Sequence, residues 1–155
     1  MIPTPCTDLL TQPQFSDVYP PSEDSFLFLD ALEKDITFLT DHLKPAVVME
    51  IGSGSGVIST FLSKLLRTPT MFIGVDISEK SRTGDMKPGK LSPRGVLYLL
   101  LLRENQPSEV HELVRESSTG RLFKVVCLMN RTCHNENLAV YRYYDPTVHI
   151  QMPEI

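Results

Sequence analysis

Cysteine is scarce in this chain of 155 residues. Cys6, Cys127 and Cys133 are too few and too scattered for a disulfide framework, which points to a reducing compartment. A basic excess is missing too. Lys and Arg number 15 against 19 Asp and Glu, a net charge of −4, and a general nucleic-acid surface would need the opposite sign. No hydrophobic run approaches the roughly 20 residues of a membrane span. The longest is VLYLLLL at 96–102. The N-terminal MIPTPCTDLLTQPQ has neither the basic nor the apolar region of a signal peptide, and no internal repeat is visible. These absences lead to the expectation of a soluble intracellular protein with no membrane and no sequence-evident nucleic acid as partner; the compartment expected is the cytoplasm, with the nucleus a second.

What remains has ordinary globular character. Apolar residues make up 41% and charged residues 22%, and the length suits a single domain with a real core. Residues 1–14, with three prolines and no apolar period, read as a loose N-terminal arm, and 15–150 as one domain. Leu29, Leu32, Ile36, Leu39 and Leu43 recur at three- and four-residue steps, the spacing of one helix face. Pro21 and Ser22 supply its start, Glu23 and Asp24 suit its first turn, and Lys44–Pro45 stops it. AVVME (46–50) predicts a buried parallel strand, VISTFLSKLL (57–66) a helix and MFIGVD (71–76) a second buried strand. Together they form one βαβ unit, the seed of a parallel sheet covered by helices. Residues 77–90 are polar and aperiodic, a loop or a seam. GVLYLLLL (95–102) predicts a third buried strand and PSEVHELVRES (107–117) a short helix. RLFKVVCLM and NLAVYRYY predict an antiparallel hairpin joined by NRTCHNE (130–136).

The chemistry centres on EIGSGSG, 50–56. A dinucleotide site wants G-x-G-x-x-G, with the pyrophosphate laid on the helix N-terminus. Here Gly52, Gly54 and Gly56 give G-x-G-x-G, and Val57 stands where the third dinucleotide glycine would be. Glu50, just before the loop, suits a cationic ligand better than a phosphate. S-adenosylmethionine, with its ammonium and sulfonium, is such a ligand. Asp76 ends the next strand, where a carboxylate can take both ribose hydroxyls of an adenosine. The plain structural explanation is a tight glycine turn with Asp76 capping a helix. Acid, spaced glycines, helix, strand and acid in that order favour the methyl donor.

At this point the sequence resembles the eukaryotic branch of the HemK family, protein glutamine-N5 methyltransferases that act on translation termination factors. FSDVYPPSEDSFLFLDAL (15–32) is similar to the family's N-terminal signature, a tyrosine followed by Pro-x-Glu-Asp and a hydroxyl residue. MEIGSGSGVIS (49–59) is similar to its glycine motif, VDIS (75–78) to the end of its second strand, and LSPRGVLYLLLLRENQPSEV (91–110) to the strand and helix beyond its active site. Weaker similarity runs through NENLAVYRYY (135–144). The resemblance implies an α/β class I methyltransferase, a Rossmann-like sheet with helices on both faces, with S-adenosylmethionine as cofactor. It implies that Ser25 touches the cofactor, that Glu50, Gly52, Gly54 and Gly56 line its methionine end, and that Asp76 holds the ribose. It also implies a termination factor as protein substrate and a small zinc-binding activator subunit docked by strand pairing. For Ser25, a helix first-turn hydroxyl explains the residue as well; Glu23 and Asp24 are explained as helix-start acids.

One part of the family pattern is missing. Its catalytic Asn-Pro-Pro-Tyr, at the end of the fourth strand, occurs nowhere in the chain. YPPS (19–22), NQPS (105–108) and YDPT (144–147) are no substitutes by composition or place. Two βα units between Asp76 and Leu91 would need roughly 60 residues at about 30 each. Fourteen, 77–90, stand there. The third and fourth strand units are therefore expected to be absent, with the activator's docking edge, and no residue is assigned a catalytic role. Methyl transfer by this chain alone is not expected. A shortened, non-catalytic binding or regulatory form is the alternative reading. A different adenosine-ligand enzyme would have to draw on His111, His134, His149 or Cys133, none at metal or triad spacing. C-x5-C-H at 127–134 is too loose for a zinc knuckle, and the sequon NRT (130–132) has no secretory context.

Overall fold

The computed structural model describes residues 2–76, 94–117, 123–133 and 135–148. They fall into two compact units, Met1–Pro88 and Gly89–Ile155.

In the first unit, α1 spans Glu23–Lys34, with Glu23 and Asp24 in its first turn and Lys34 in its last, complementing the helix dipole. Ser22 is the N-cap in extended conformation, but its hydroxyl donates to Asp24 Oδ1 (2.5 Å) instead of capping the helix. The same carboxylate oxygen accepts the Ser25 N–H (2.7 Å), one of the donors a helix start leaves without an intrahelical acceptor. Leu29, Leu32 and Leu39 of the expected face are buried; Ile36 and Leu43 are half-buried. The helix does not run unbroken to Leu43. After Asp35 the chain widens into a π turn over Phe38–Leu43, closed by the Lys44 N–H on Leu39 O, five residues back (3.0 Å). That turn lets adjacent Phe38 and Leu39 both enter the core. It ends, as expected, at Lys44, in the left-handed region at φ 45° before Pro45.

Strands β1 (Val47–Ile51) and β2 (Met71–Val75) pair in parallel, Val47 opposite Met71 and Ile51 opposite Val75, with α2 (Val57–Leu65) between them in sequence. The βαβ unit is as expected. Val57, Phe61, Leu62 and Leu65 of α2 are buried, with Leu27, Ala31 and Leu32 of α1, which packs against it. Neither strand is buried throughout. Val47 is 54% and Ile51 77% exposed on β1, and Met71 63% on β2. A parallel strand carries a continuous apolar run because both faces are covered. This two-stranded sheet keeps the apolar run and leaves one side of β1 open to water. Residues 2–14, read as a loose arm, carry 3-10 turns at Asp8–Thr11 and Pro13–Phe15, and the Ile2 N–H donates to Glu33 Oε1 of α1 (2.9 Å).

The second unit is a three-stranded antiparallel sheet in the order β3 (Leu97–Leu102), β5 (Glu136–Tyr144), β4 (Lys124–Cys133). The expected hairpin is present, but Asn130–Cys133, read as its loop, continue β4 and pair with Glu136–Ala139. A register shift between Cys127 and Met129 makes Leu128 the extra residue of a bulge, and its side chain is buried. β3, read as a buried strand, is an edge strand and mostly half-buried. On β5, Val140 and Tyr143 are buried together with Arg142, whose guanidinium lies 5.1 Å from the centroid of the Tyr144 ring.

Helix α3 (Pro107–Ser117) is fastened to this sheet by His111. Its Nδ1 lies 2.6 Å from the Tyr143 hydroxyl, and its ring meets Tyr141 and Tyr143 edge-on at 4.7 and 5.6 Å. Burial, and then the neighbouring Arg115, hold the imidazole below its usual pKa, while burial pushes the Tyr143 hydroxyl up to about 12. At neutral pH the pair is therefore a neutral imidazole and a phenol. The unfolded chain takes up the histidine proton first on acidification, so this contribution to stability is present above the ordinary imidazole pKa of about 6.5 and lost as pH falls through the folded value. Tyr143→Phe is expected to cost about 1 kcal/mol at neutral pH in urea unfolding, with a smaller penalty once His111 is protonated in both states. An equal penalty across that range would mean the hydrogen bond is not formed.

Candidate functional site

The loop from β1 to α2 is built by backbone that glycine alone adopts without strain. Gly52, Gly54 and Gly56 all sit at positive φ, 74°, 43° and 69°. The chain leaves β1 and folds back over the end of β2, where the Gly52 and Ser53 N–H groups both donate to Val75 O (2.7 and 3.2 Å). Gly56 closes the turn on Ser53 O (2.6 Å) and begins α2. A Cβ at Gly52 or Gly56 would meet nothing within 4 Å, so the space beside both is open for a ligand. Tyr19 O would stand 3.9 Å from a Cβ at Gly54. The N-terminal signature read from the sequence thus passes over the centre of the loop.

Two carboxylates fix this loop. Asp76, the residue after β2, accepts the Gly54 N–H on Oδ2 (2.7 Å). Glu50 on β1 accepts the Ser59 N–H (3.1 Å) and the Ser59 hydroxyl, which ties the strand to the first turn of α2. Burial is the main cause holding the Glu50 carboxyl above its usual pKa; the Asp76 charge adds to the rise, and the two bonds from Ser59 oppose it. The Asp76 charge is the smallest of these causes, and burial the largest.

The sign of that shift has a consequence. A carboxyl raised in the folded state contributes stability below its ordinary pKa, 4.5, which is lost as pH rises through the folded value. Ionised Glu50 therefore weighs against the free protein at neutral pH. Glu50→Gln keeps an oxygen for Ser59 and removes the repulsion from Asp76. It is expected to raise the thermal midpoint at pH 7 while weakening binding of a cationic ligand. A lowered midpoint at pH 7 and pH 4 alike would show the carboxylate to be a structural anchor alone.

Of the residues singled out in the sequence, Glu50, Gly52, Gly54, Gly56 and Asp76 come together around this loop. Ser25 lies in the first turn of α1, where its N–H and hydroxyl donate to Asp24 Oδ1 (2.7 and 3.3 Å), and no described hydrogen bond joins it to the loop. Ser59 was not singled out. Its bond to Glu50 spans the loop, and no sequence spacing signals which hydroxyl of α2 turns toward β1. His111 is committed to Tyr143, and Cys133 is half-buried on β4. His134, His149 and the seam at 77–90 lie outside the described residues.

No protein-family model matches the chain. It is similar to the eRF1 methyltransferase catalytic subunit mtq2 of Schizosaccharomyces pombe, 42% identical over 85 residues, 52% of this chain and 37% of that protein. It is similar to methyltransferase HEMK2 of Mus musculus (36% over 80 residues, 52% and 36% covered) and of Homo sapiens (42% over 67 residues, 43% and 30% covered). The chain thus spans about a third of the length of these curated relatives. Among solved structures it superposes on a chain of the E. cuniculi Mtq2–Trm112 complex, responsible for methylation of the eRF1 termination factor, with a TM-score of 0.61. That match covers 83% of this chain and 99% of the other at 20% identity, a likeness of fold. The α/β methyltransferase fold expected from the sequence is borne out by that superposition, and the HemK-type resemblance by the relatives' names.

Proposed function

We propose that this chain is a shortened homologue of the release-factor methyltransferases that keeps one side of an S-adenosylmethionine site and does not transfer methyl by itself. The observation that carries the reading is the pair Glu50 and Asp76 bracketing a glycine loop whose outer side is open. Two acids at the loop suit a ligand with an ammonium, a sulfonium and a ribose diol. The residues fit that cofactor: Asp76 would take the ribose hydroxyls, Glu50 and the three glycines would face the methionine end, and Ser25 would contact it from α1. When bound, the cofactor supplies an electrophilic methyl carbon on a sulfonium. The chain's own part is to orient it; the acceptor, a glutamine amide of a termination factor, and the small zinc-binding activator of the family are assigned by the resemblance. A cytoplasmic setting goes with that substrate.

Calorimetric titration of the purified chain with S-adenosylmethionine tests this. Saturable binding is expected, and Asp76→Ala, which removes both the ribose acceptor and the partner of Gly54 N–H, is expected to abolish it. No saturation at millimolar ligand would mean that the half-site is not assembled. A binding or regulatory role is favoured by a different observation, the exposed Val47, Met49, Ile51 and Met71 on β1 and β2. Co-purification with a full-length methyltransferase, lost in Ile51→Lys, would support it.

A further inference from the structure

Both hydrogen bonds that Glu50 accepts reach the same atom. The Ser59 N–H (3.1 Å) and the Ser59 hydroxyl donate to Oε2, and no described residue donates to Oε1. An ionised carboxylate carries about four acceptor sites on its two oxygens. Here one residue occupies one oxygen and leaves the other.

The position of Ser59 explains the pairing. Gly56 is the N-cap of α2, so the Ser59 N–H is among the donors that a helix start leaves without an intrahelical acceptor. Glu50 supplies that acceptor from β1, and the hydroxyl of the same residue closes on it from the side. β1 packs against β2 and α2. Opposite Glu50 in the β2 register stands Gly74, which has no side chain. Of the charged groups on these elements, Asp76 follows β2 and bears on Glu50 as a like charge. Lys64 lies in the last turn of α2, more than one helical turn beyond Ser59. Burial and Asp76 favour the protonated carboxyl, and the two bonds from Ser59 favour the ionised one. Ser59 thus sustains a charge that its surroundings oppose.

We propose that Ser59 is a positioning residue for the methyl donor: by holding Oε2 it keeps Oε1 of Glu50 for the ligand's ammonium, and protonated Glu50 gives its proton to water as that ammonium binds. This rests on the reading of the loop as an S-adenosylmethionine site and extends it to α2. Affinity for an ammonium-bearing ligand is then expected to rise as pH climbs through the Glu50 value of the free chain, which burial holds above the ordinary 4.5, and to level off above it. The ligand's own amine stays protonated over that range, since an α-amino group titrates at about 8. 5′-Methylthioadenosine has the same adenosine without ammonium or sulfonium, and is expected to bind with no such dependence.

Two measurements on the full chain test this. The first is a carbon-13 nuclear magnetic resonance titration of the Glu50 carboxyl without ligand, its signal assigned by its loss in Glu50→Gln. Ser59→Ala, which removes the hydroxyl and keeps the N–H, is expected to move the midpoint to higher pH, and Ser59→Thr to restore it. The second is calorimetric titration with S-adenosylmethionine and with 5′-methylthioadenosine, in buffers of different ionisation enthalpy between about pH 4.5 and 6.5. Proton release is expected with S-adenosylmethionine alone. Ser59→Ala is expected to weaken that ligand about tenfold and 5′-methylthioadenosine less than about twofold. Ser59→Cys, a weak donor of similar size, replaces Ser59→Ala should that variant fail to fold. An unmoved carboxyl midpoint, equal weakening of both ligands, or S-adenosylmethionine binding without proton release would each overturn this assignment and leave the reading of the loop intact. Binding of neither ligand to the parent chain would overturn both.

Discussion

Purified chain given radiolabelled S-adenosylmethionine and a termination factor is expected to leave the factor unlabelled, under conditions where a full-length relative labels it. The expectation rests on the nucleophile. The nitrogen of a carboxamide has its lone pair delocalised into the carbonyl, so it attacks a sulfonium methyl slowly unless it is held in line with the breaking bond. Holding reactants in an attack geometry supplies about 7–11 kcal/mol, a hundred-thousandfold or more in rate. In the family this chain resembles, that task belongs to Asn-Pro-Pro-Tyr, and the sequence contains no such tetrapeptide. Among the described residues, none around the glycine loop replaces it. Glu50 is bonded to Ser59 and Asp76 to Gly54, and both are hydrogen-bond acceptors. Labelling of the factor at a rate within an order of magnitude of a full-length enzyme would overturn the proposal, and would show that the amide is positioned by other residues.

The largest stability effect is expected from Phe61→Ala. Phe61 is 1% exposed on α2, a helix that packs against α1 and also buries Val57, Leu62 and Leu65. Truncating a buried phenylalanine costs about 3–5 kcal/mol through lost transfer energy and the cavity left behind. A whole domain is stable by about 5–15 kcal/mol, and this first unit has one strand pair with a water-exposed side. The loop hangs on the same helix, since Gly56 begins α2 and Ser59 holds Glu50. Loss of α2 packing should therefore remove cofactor binding together with the cooperative urea transition. A variant that unfolds within about 1 kcal/mol of the parent would show that α2 is not part of the unit's core.

Both expectations draw on what was legible before any coordinates. Of the apolar spacing Leu29, Leu32, Ile36, Leu39 and Leu43, the first two marked the buried face of α1 and Leu39 a buried residue of the π turn after it, because helical period and burial are two statements of one geometry. The turn after β1 was legible because three glycines at alternate positions have few other uses, and each indeed sits at positive φ. Glu50 and Asp76 could be named because an acid at the end of a strand beside such a turn has nowhere else to project. The run NLAVYRYY likewise announced β5.

Other features depended on partners that no local pattern encodes. That Asp76 bonds to Gly54 N–H, and Glu50 to Ser59, is a matter of how the loop folds back across β2. The π turn at Phe38–Leu43 arose because the core could accept Phe38 and Leu39 together, a packing decision made against an unbroken helical period. Arg142, a charged residue, is 2% exposed in the structure, with its guanidinium beside the ring of Tyr144. The sequence by itself determined the βαβ unit, the glycine turn and its acids, because these follow from residue geometry within one stretch of chain. Tertiary structure decided which side of β1 meets water and which hydroxyl of α2 holds Glu50. Exposure and hydrogen-bond partnership are properties of neighbours distant in sequence, and they exist only once those neighbours are in place.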